Sequence, residues 1–342
     1  MGLKVAVNGF GTIGKRVADA VAKQPDLTLV GVTKTRPTSE AELAVARGYP
    51  LYVAGGGKAQ DFRAAGIDVQ GGLDELLSEA EVVIDASPDK IGAANREIYD
   101  RRKLPALFQG GEKASVAERS FSALADYGEC LGVKRLRVVS CNTTGLARAA
   151  SVLQGRFGVD DWDATLIRRA ADPGESKKGP VNGILPSLDI PSHHGPDVQT
   201  VLPGLPISTT AVTVSTSLMH VHTNTVRLRR APTDVAEVLR AFRESPRFLL
   251  FTPADRVEGT PGLIEWARDQ GRPRNDLMEN VLWEAGIELS GPVVRFFQAI
   301  HQESIVVPEN VDALRAMFEL ETDPRKSIER TDRSLGLGRR GS

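Results

Sequence analysis

Cys141 is the residue of this chain with the clearest capacity for chemistry. It stands in Ser140-Cys141-Asn142-Thr143-Thr144-Gly145, after an apolar run at residues 136–140 and before a helical pattern at 146–153. Asn and Thr are capping residues, so the thiol falls at or just before a helix N-terminus, where partial positive charge favours thiolate. A free cysteine with a pKa of about 8.5 is only about 3% thiolate at pH 7. Lowering that pKa by one unit takes about 1.4 kcal/mol, and an exposed helix terminus supplies about 0.3–1 kcal/mol. A second partner is therefore expected, a histidine by its chemistry. Cys130, in Gly128-Glu129-Cys130-Leu131-Gly132, lacks this context and reads as inert.

The five histidines and a pair of arginines are the groups that could serve such a thiol. His220 and His222 lie two apart on a β-like run, so both face one way. His193-His194-Gly195 falls in a Pro-rich loop, and His301 opens His301-Gln302-Glu303-Ser304. Arg168 and Arg169 close another β-like run, where alternation sends one side chain into a site and the other away. Arg168 can hold a phosphate, and Lys177-Lys178-Gly179-Pro180 is a second candidate phosphate loop. No second pair of ligands has the spacing of a metal site, so no metal is expected.

Gly9-Phe10-Gly11-Thr12-Ile13-Gly14 fits G-x-G-x-x-G, and its placement between a strand and an amphipathic helix is the dinucleotide fingerprint. Gly9 makes the tight turn, Gly11 admits a pyrophosphate and Gly14 lets helix pack on strand, with Thr12 and Ile13 at the helix entry. The helix N-terminus offers free N–H groups to the phosphates. The second strand ends in Thr33-Lys34-Thr35-Arg36-Pro37, with no acid before Glu40. A carboxylate there would serve a ribose 2′-OH, whereas Lys34, Thr35 and Arg36 can bind a 2′-phosphate. NADP is the expected cofactor, with NAD also accepted. Gly110-Gly111, at the end of a later strand, sits on the edge of the sheet where ligands bind.

These groups require a scaffold, and its outline is readable. Strand-like runs at 3–7, 27–32, 66–69, 81–85, 104–109 and 136–140 alternate with helical patterns at 12–23, 39–47, 72–80 and 95–102. That alternation predicts an α/β Rossmann domain, a doubly wound parallel sheet, over residues 1–140. Longer β-like runs at 164–169, 209–214 and 220–228 follow, with Pro- and Gly-rich stretches between them. They predict an α+β catalytic domain with an antiparallel sheet over 141–302. A helix near 308–320 is expected in the segment 303–342, which is assigned to pack back on the first domain. The 342 residues carry 43 basic and 44 acidic side chains, so no basic field exists for nucleic acid or an anionic membrane. No apolar run approaches a membrane span, and two lone cysteines suit a reducing, cytoplasmic compartment.

Taken together, Asn8-Gly9-Phe10-Gly11-Thr12-Ile13-Gly14, the Cys141 hexapeptide and His301-Gln302-Glu303-Ser304 resemble the archaeal-type, phosphorylating glyceraldehyde-3-phosphate dehydrogenases, from Val5 to about Leu337. The resemblance implies Cys141 as nucleophile and His220, the first histidine of Met219-His220-Val221-His222, as base. It implies Gly111, Arg169 and Gln302 as cofactor contacts alongside the glycine loop and Lys34. It puts Ser140, Asn142, Thr143, Arg168, His194 and Gly195 at the substrate. Glyceraldehyde 3-phosphate, inorganic phosphate and further copies of the chain, as a homotetramer, are the implied partners. Two alternatives stand beside it: a Cys-dependent dehydrogenase of the aspartate-semialdehyde type, and a nucleotide-binding regulator without catalysis.

Overall fold

The computed structural model describes residues 2–88, 90–109, 111–171 and 182–338. The Lys177-Lys178 loop and Gly110 lie outside the described residues. The chain divides into two compact units, Met1–Ser140 with Val307–Leu335, and Cys141–Val306 with the short stretch from Gly336.

The first unit holds β1 (Leu3–Asn8), α1 (Gly14–Ala22), β2 (Leu27–Lys34), α2 (Ser39–Ala46), β3 (Leu51–Val53), α3 (Ala59–Ala64), β4 (Gly71–Gly72), α4 (Leu73–Glu79), β5 (Val82–Asp85), α5 (Ile91–Arg102), β6 (Ala106–Phe108), β7 (Arg119–Phe121) and β8 (Arg135–Val138). Every pairing is parallel, in the order β4-β3-β2-β1-β5-β6-β8-β7. β2, β3 and β4 follow outward from β1 on one side, and β6, β8 and β7 from β5 on the other, so the strand order reverses between β1 and β5. That is the crevice where doubly wound sheets bind ligands. Val5, Ala6, Val7, Val82, Val83 and Ile84 are buried on both faces, as central parallel strands require.

The run expected as a strand at 66–69 is not one. Beyond β2 the sheet continues through β3 and β4, which are three and two residues long and too short to carry a periodic signal. The segment after Val306 forms two helices, α10 (Val307–Met317) and α11 (Pro324–Leu335), within this unit. Arg315 of α10 is fully buried and binds Asp26 through Nε (2.8 Å), Gln24 (2.8 Å) and Thr331 Oγ1 of α11 (2.6 Å). One guanidinium thus joins α10, α11 and the turn between α1 and β2.

The second unit holds α6 (Cys141–Phe157), β9 (Val159–Arg169), β10 (Ile184–Pro186), α7 (His194–Gln199), β11 (Ile207–Val214), β12 (His220–Leu228), α8 (Val235–Arg243), β13 (Phe248–Phe251), α9 (Gly259–Asp269), β14 (Asn280–Ser290) and β15 (Val293–Ile300). Its sheet runs β10-β11-β9-β12-β15-β14-β13. The expected antiparallel arrangement holds across β9, β12, β15 and β14, but β9–β11 and β13–β14 are parallel, so the sheet is mixed. The two parallel pairs arise because each is joined through intervening helix rather than a hairpin. Register sets Ala164, Leu166, His222, Asn224, Phe296 and Gln298 on one buried face, with His220 and Ile300 paired at its end. α6 packs against β9, β12 and β15.

Candidate active site

In the first unit, the turn from β1 to α1 is built only from glycines where it must be. Gly9 has φ +107°, which a Cβ-bearing residue rarely adopts, and a Cβ on Gly14 would lie 1.7 Å from the Gly9 carbonyl oxygen. A Cβ on Gly11 would meet nothing within 4 Å, so this point of the loop is open to a ligand. The cradle therefore fits a dinucleotide pyrophosphate, with Thr12 and Ile13 forming the entry to α1. Behind the turn lies a buried chain of hydrogen bonds that sequence reasoning did not find. Gly9 N–H donates to Thr33 Oγ1 (2.9 Å), Thr33 donates to Asn8 Oδ1 (2.7 Å), Asn8 Nδ2 to the Tyr99 hydroxyl (2.7 Å), and Tyr99 to Asp85 (2.6 Å). Lys34 ends β2 as expected, but its ammonium is bound to Glu40 at 2.7 Å. Gly111 follows β6 with φ +114° and open space where a Cβ would stand. Ser140 follows β8, partly exposed.

In the second unit, α6 begins at Cys141 itself, five residues before the expected helical pattern, and continues to Phe157. Cys141 is half-buried. Burial pushes its thiol up to about 11; the Asn142 N–H and the charges of Arg169 and Arg168 pull the other way, and Glu303 adds to the rise. The expected lowering thus does not occur, because desolvation outweighs the helix terminus and two guanidiniums together.

The expected histidines take unequal roles. His222 donates from Nε2 to Asn142 Oδ1 (2.8 Å) while its Nδ1 accepts from Gln298 Nε2 (3.0 Å). Gln298 Oε1 accepts from Asn280 Nδ2 (3.0 Å), which also donates to the Gly145 carbonyl (2.7 Å). The first turn of α6 is thereby fastened to β12, β14 and β15 by uncharged groups. Burial holds His222 down at about 3, so this relay stays neutral. Gln298 and Asn280 carried no signal of their own; only the register that sets Gln298 opposite His222 gives them a role.

His220 is buried, and its Nδ1 accepts the backbone N–H of Arg169 (2.9 Å). A lone pair is therefore committed on Nδ1, and the neutral ring carries its proton on Nε2. Burial first, then neighbouring His222 and the charges of Arg169 and Arg168, hold its pKa well below the ordinary value. His194 stacks on His193, accepts or donates at Ser192 Oγ (3.1 Å), and is held at about 2 by burial, then by His193, Arg168 and His222. Gly195 N–H donates to Thr209 Oγ1 (2.9 Å), and Thr143 donates to Asp197 (2.7 Å), tying α7 to β11 and α6.

The two arginines separate as alternation requires. Arg169 is buried and paired with Glu303 (3.3 Å), whose Oε2 also lies 3.1 Å from His301 Nε2. Burial would raise Glu303, but the His301 bond, its charge and that of Arg169 outweigh it and hold the carboxyl at about 2. Gln302, expected at the cofactor, lies between those two residues and is partly exposed. Arg168 has no carboxylate partner among the described residues, and its buried Nε has no hydrogen-bond partner. Its charge acts on Cys141, His194 and His220 alike. Among the described residues no cluster of His, Cys, Asp and Glu could hold a metal ion, and no helix is long and apolar enough to cross a membrane.

Comparison with known families matches residues 140–270 to the glyceraldehyde 3-phosphate dehydrogenase C-terminal domain and residues 3–108 to the dihydrodipicolinate reductase N-terminus. Among individual proteins, a glyceraldehyde-3-phosphate dehydrogenase of Archaeoglobus fulgidus is 51% identical over 99% of both chains. One from Thermococcus kodakarensis is 50% identical over 98% of this chain and 99% of its own. A third, from Halobacterium salinarum, is 48% identical over 98% of this chain and all of its own.

Proposed function

Because the chain belongs to the glyceraldehyde-3-phosphate dehydrogenase family, we propose that it oxidises glyceraldehyde 3-phosphate to 1,3-bisphosphoglycerate through a thioester on Cys141. The observation that carries this reading is a thiol at the first residue of α6 under the charge of Arg168, a guanidinium with no carboxylate partner among the described residues. An anionic substrate both pairs that guanidinium and brings an aldehyde to the sulfur.

In the forward direction Cys141, as thiolate, bonds to the aldehyde carbon, and the carbonyl π-pair moves onto oxygen. His220 meets that oxygen. The resemblance makes this histidine a base, yet with Nδ1 engaged by the Arg169 N–H it presents Nε2–H. In this reading it donates to the developing alkoxide, and a preorganised donor in a water-poor site is worth a factor of about 10²–10³. An oxygen held as alkoxide has no proton to remove when the C–H bond breaks. A bound nicotinamide supplies the acceptor for that hydride. The thioester retains the energy of oxidation until phosphate attacks its carbonyl, the C–S bond breaks and the thiolate is restored. Arg168, His194, Gly195, Asn142, Thr143 and Ser140 are assigned to the substrate and phosphate. Gly9, Gly11, Thr12, Ile13, Gly14, Lys34, Gly111, Arg169 and Gln302 are assigned to the cofactor. The lysine at the end of β2 supports NADP as the preferred dinucleotide, with NAD also used.

The working form is proposed to be a cytoplasmic homotetramer. The exposed apolar side chains of Ile184, Leu188 and Ile190, 70, 87 and 74% accessible, support association with further copies. The domain reading is a Rossmann domain of residues 1–140 completed by α10 and α11, and a catalytic domain from Cys141.

The test follows cofactor reduction with glyceraldehyde 3-phosphate, with and without inorganic phosphate, for the native enzyme and Cys141→Ser. Turnover that requires phosphate and disappears in the variant is expected. Phosphate-independent turnover would mean that water resolves the thioester, and a fully active Cys141→Ser enzyme would end the covalent reading.

A further inference from the structure

Glu40 binds two ammonium groups at once, Lys34 at 2.7 Å and Lys15 at 2.9 Å. Lys34 is the last residue of β2, Lys15 the second of α1, and Glu40 the second of α2. All three are at most about a quarter exposed, with side-chain accessibilities of 14, 18 and 28%. Burial would raise the Glu40 carboxyl, but the bonds to Lys34 and Lys15 outweigh it and hold it below the ordinary range. Its place in the first turn of α2 adds a favourable helix dipole. The triad carries one net positive charge. Arg36, two residues on, is exposed and has no ion pair among the described residues.

The end of the second strand is where a dinucleotide-binding sheet meets the adenosine ribose, and an acid there suits a 2′-hydroxyl while a base suits a 2′-phosphate. This chain sets both at one point. We propose that Glu40 is a specificity-determining residue, an internal counter-ion that occupies Lys34 in place of the 2′-phosphate and keeps the unphosphorylated dinucleotide competitive. When a 2′-phosphate arrives, Lys34 passes to it and Glu40 retains Lys15. When a 2′-hydroxyl arrives, it donates to the Glu40 carboxylate, which both lysines still hold. The inference rests on the dinucleotide reading given above and adds the residue that narrows its preference.

The experiment measures binding rather than turnover. Adenosine 2′,5′-bisphosphate and adenosine 5′-monophosphate are titrated calorimetrically into the full chain, as native protein, Glu40→Gln, Glu40→Asp and Lys34→Met. Thermal unfolding is recorded for each. Neutralising the carboxylate while keeping its shape should raise the bisphosphate-to-monophosphate affinity ratio about tenfold, because a like charge beside the phosphate is removed. Glu40→Asp should stay near the native ratio, and Lys34→Met should fall below it. Equal gains for both ligands in Glu40→Gln would make Glu40 a general negative field and overturn the proposal, as would an unchanged ratio in a folded variant. Should Glu40→Gln fail to fold, Glu40→Asp and Lys34→Met decide: an unchanged Lys34→Met ratio overturns the proposal. Native protein that binds neither nucleotide would instead overturn the dinucleotide reading beneath it.

Discussion

Cys141 combines two opposed demands, since a nucleophile must ionise and a buried thiol resists doing so. With burial pushing it up to about 11, the thiolate is scarce at neutral pH. Alkylation by iodoacetamide should accelerate with pH and still be rising above pH 9. A rate that levels off below pH 8 would show a thiolate already stabilised in the free enzyme. Arg168 should distinguish phosphorylated from plain substrates. Replacing it with Ala should raise KM for glyceraldehyde 3-phosphate by roughly 10–100-fold, the scale of about 1.5–3 kcal/mol for a charged hydrogen bond, and reduce turnover of unphosphorylated glyceraldehyde far less. Equal losses on both would assign Arg168 to the thiol rather than to the phosphate. The residue types at this site were readable because Cys, His and Arg declare themselves by chemistry. Gln298 and Asn280 were not, because an amide acquires its role only from the partner that the fold supplies, here His222 and Gly145.

The elements that sequence periodicity located best are those with one wet face and one dry face. β12 begins and ends where its alternation predicts, at His220–Leu228, and α1 shows the expected buried stripe at Val17, Ala20 and Val21. The strands β3 and β7, three residues each, are too short for a period to develop, and they take their conformation from neighbours in the sheet. The region of α8, β13, α9, β14 and β15 went unread for lack of chemical landmarks. α11 is rich in charge and poor in apolar side chains, yet it buries Ser327, Ile328 and Thr331. α6 starts five residues before the expected pattern: Asn142 and the two threonines after it favour caps locally, whereas packing on β12 and β15 extends the helix through them. At the β1–α1 turn, Gly14→Ala should displace the Gly9 carbonyl, abolish nucleotide binding and cost roughly 1–3 kcal/mol of stability. Calorimetry with the nucleotide and a thermal melt measure both. Native affinity in Gly14→Ala would mean that the turn yields without consequence for the phosphates.

Across the molecule the two units should answer acid differently. His194, His220 and His222 of the second unit are held neutral, each below the ordinary 6.5. Their contribution to stability is full above pH 6.5 and is lost as pH falls, because the unfolded chain takes up protons that the folded one refuses. Three such groups give a slope of at most about 4 kcal/mol per pH unit just below that range. Asp126 in the first unit has the opposite sign. Burial raises it to about 7, against the Ser122 N–H, so folding gains as pH falls from 7 towards the ordinary 3.8. Amide exchange, corrected for its intrinsic pH dependence, should therefore quicken first in α6 and β12 and later in β1 and β5 between pH 7 and 5. Simultaneous loss in both units would contradict it. The division into units also governs how the chain is made. Arg315 closes on Asp26 across 289 positions, and α10 and α11 belong to the unit whose strands lie within residues 3–138. At about 5–20 residues per second, the ribosome emits those helices some 10–40 s after the strands they cover. For that interval the nascent parallel sheet lacks two of its helices while the second unit, continuous from Cys141 to Val306, can close unaided. The unit that carries the parallel sheet is therefore the part that most needs a chaperone during translation, although its strands leave the exit tunnel before the second unit does.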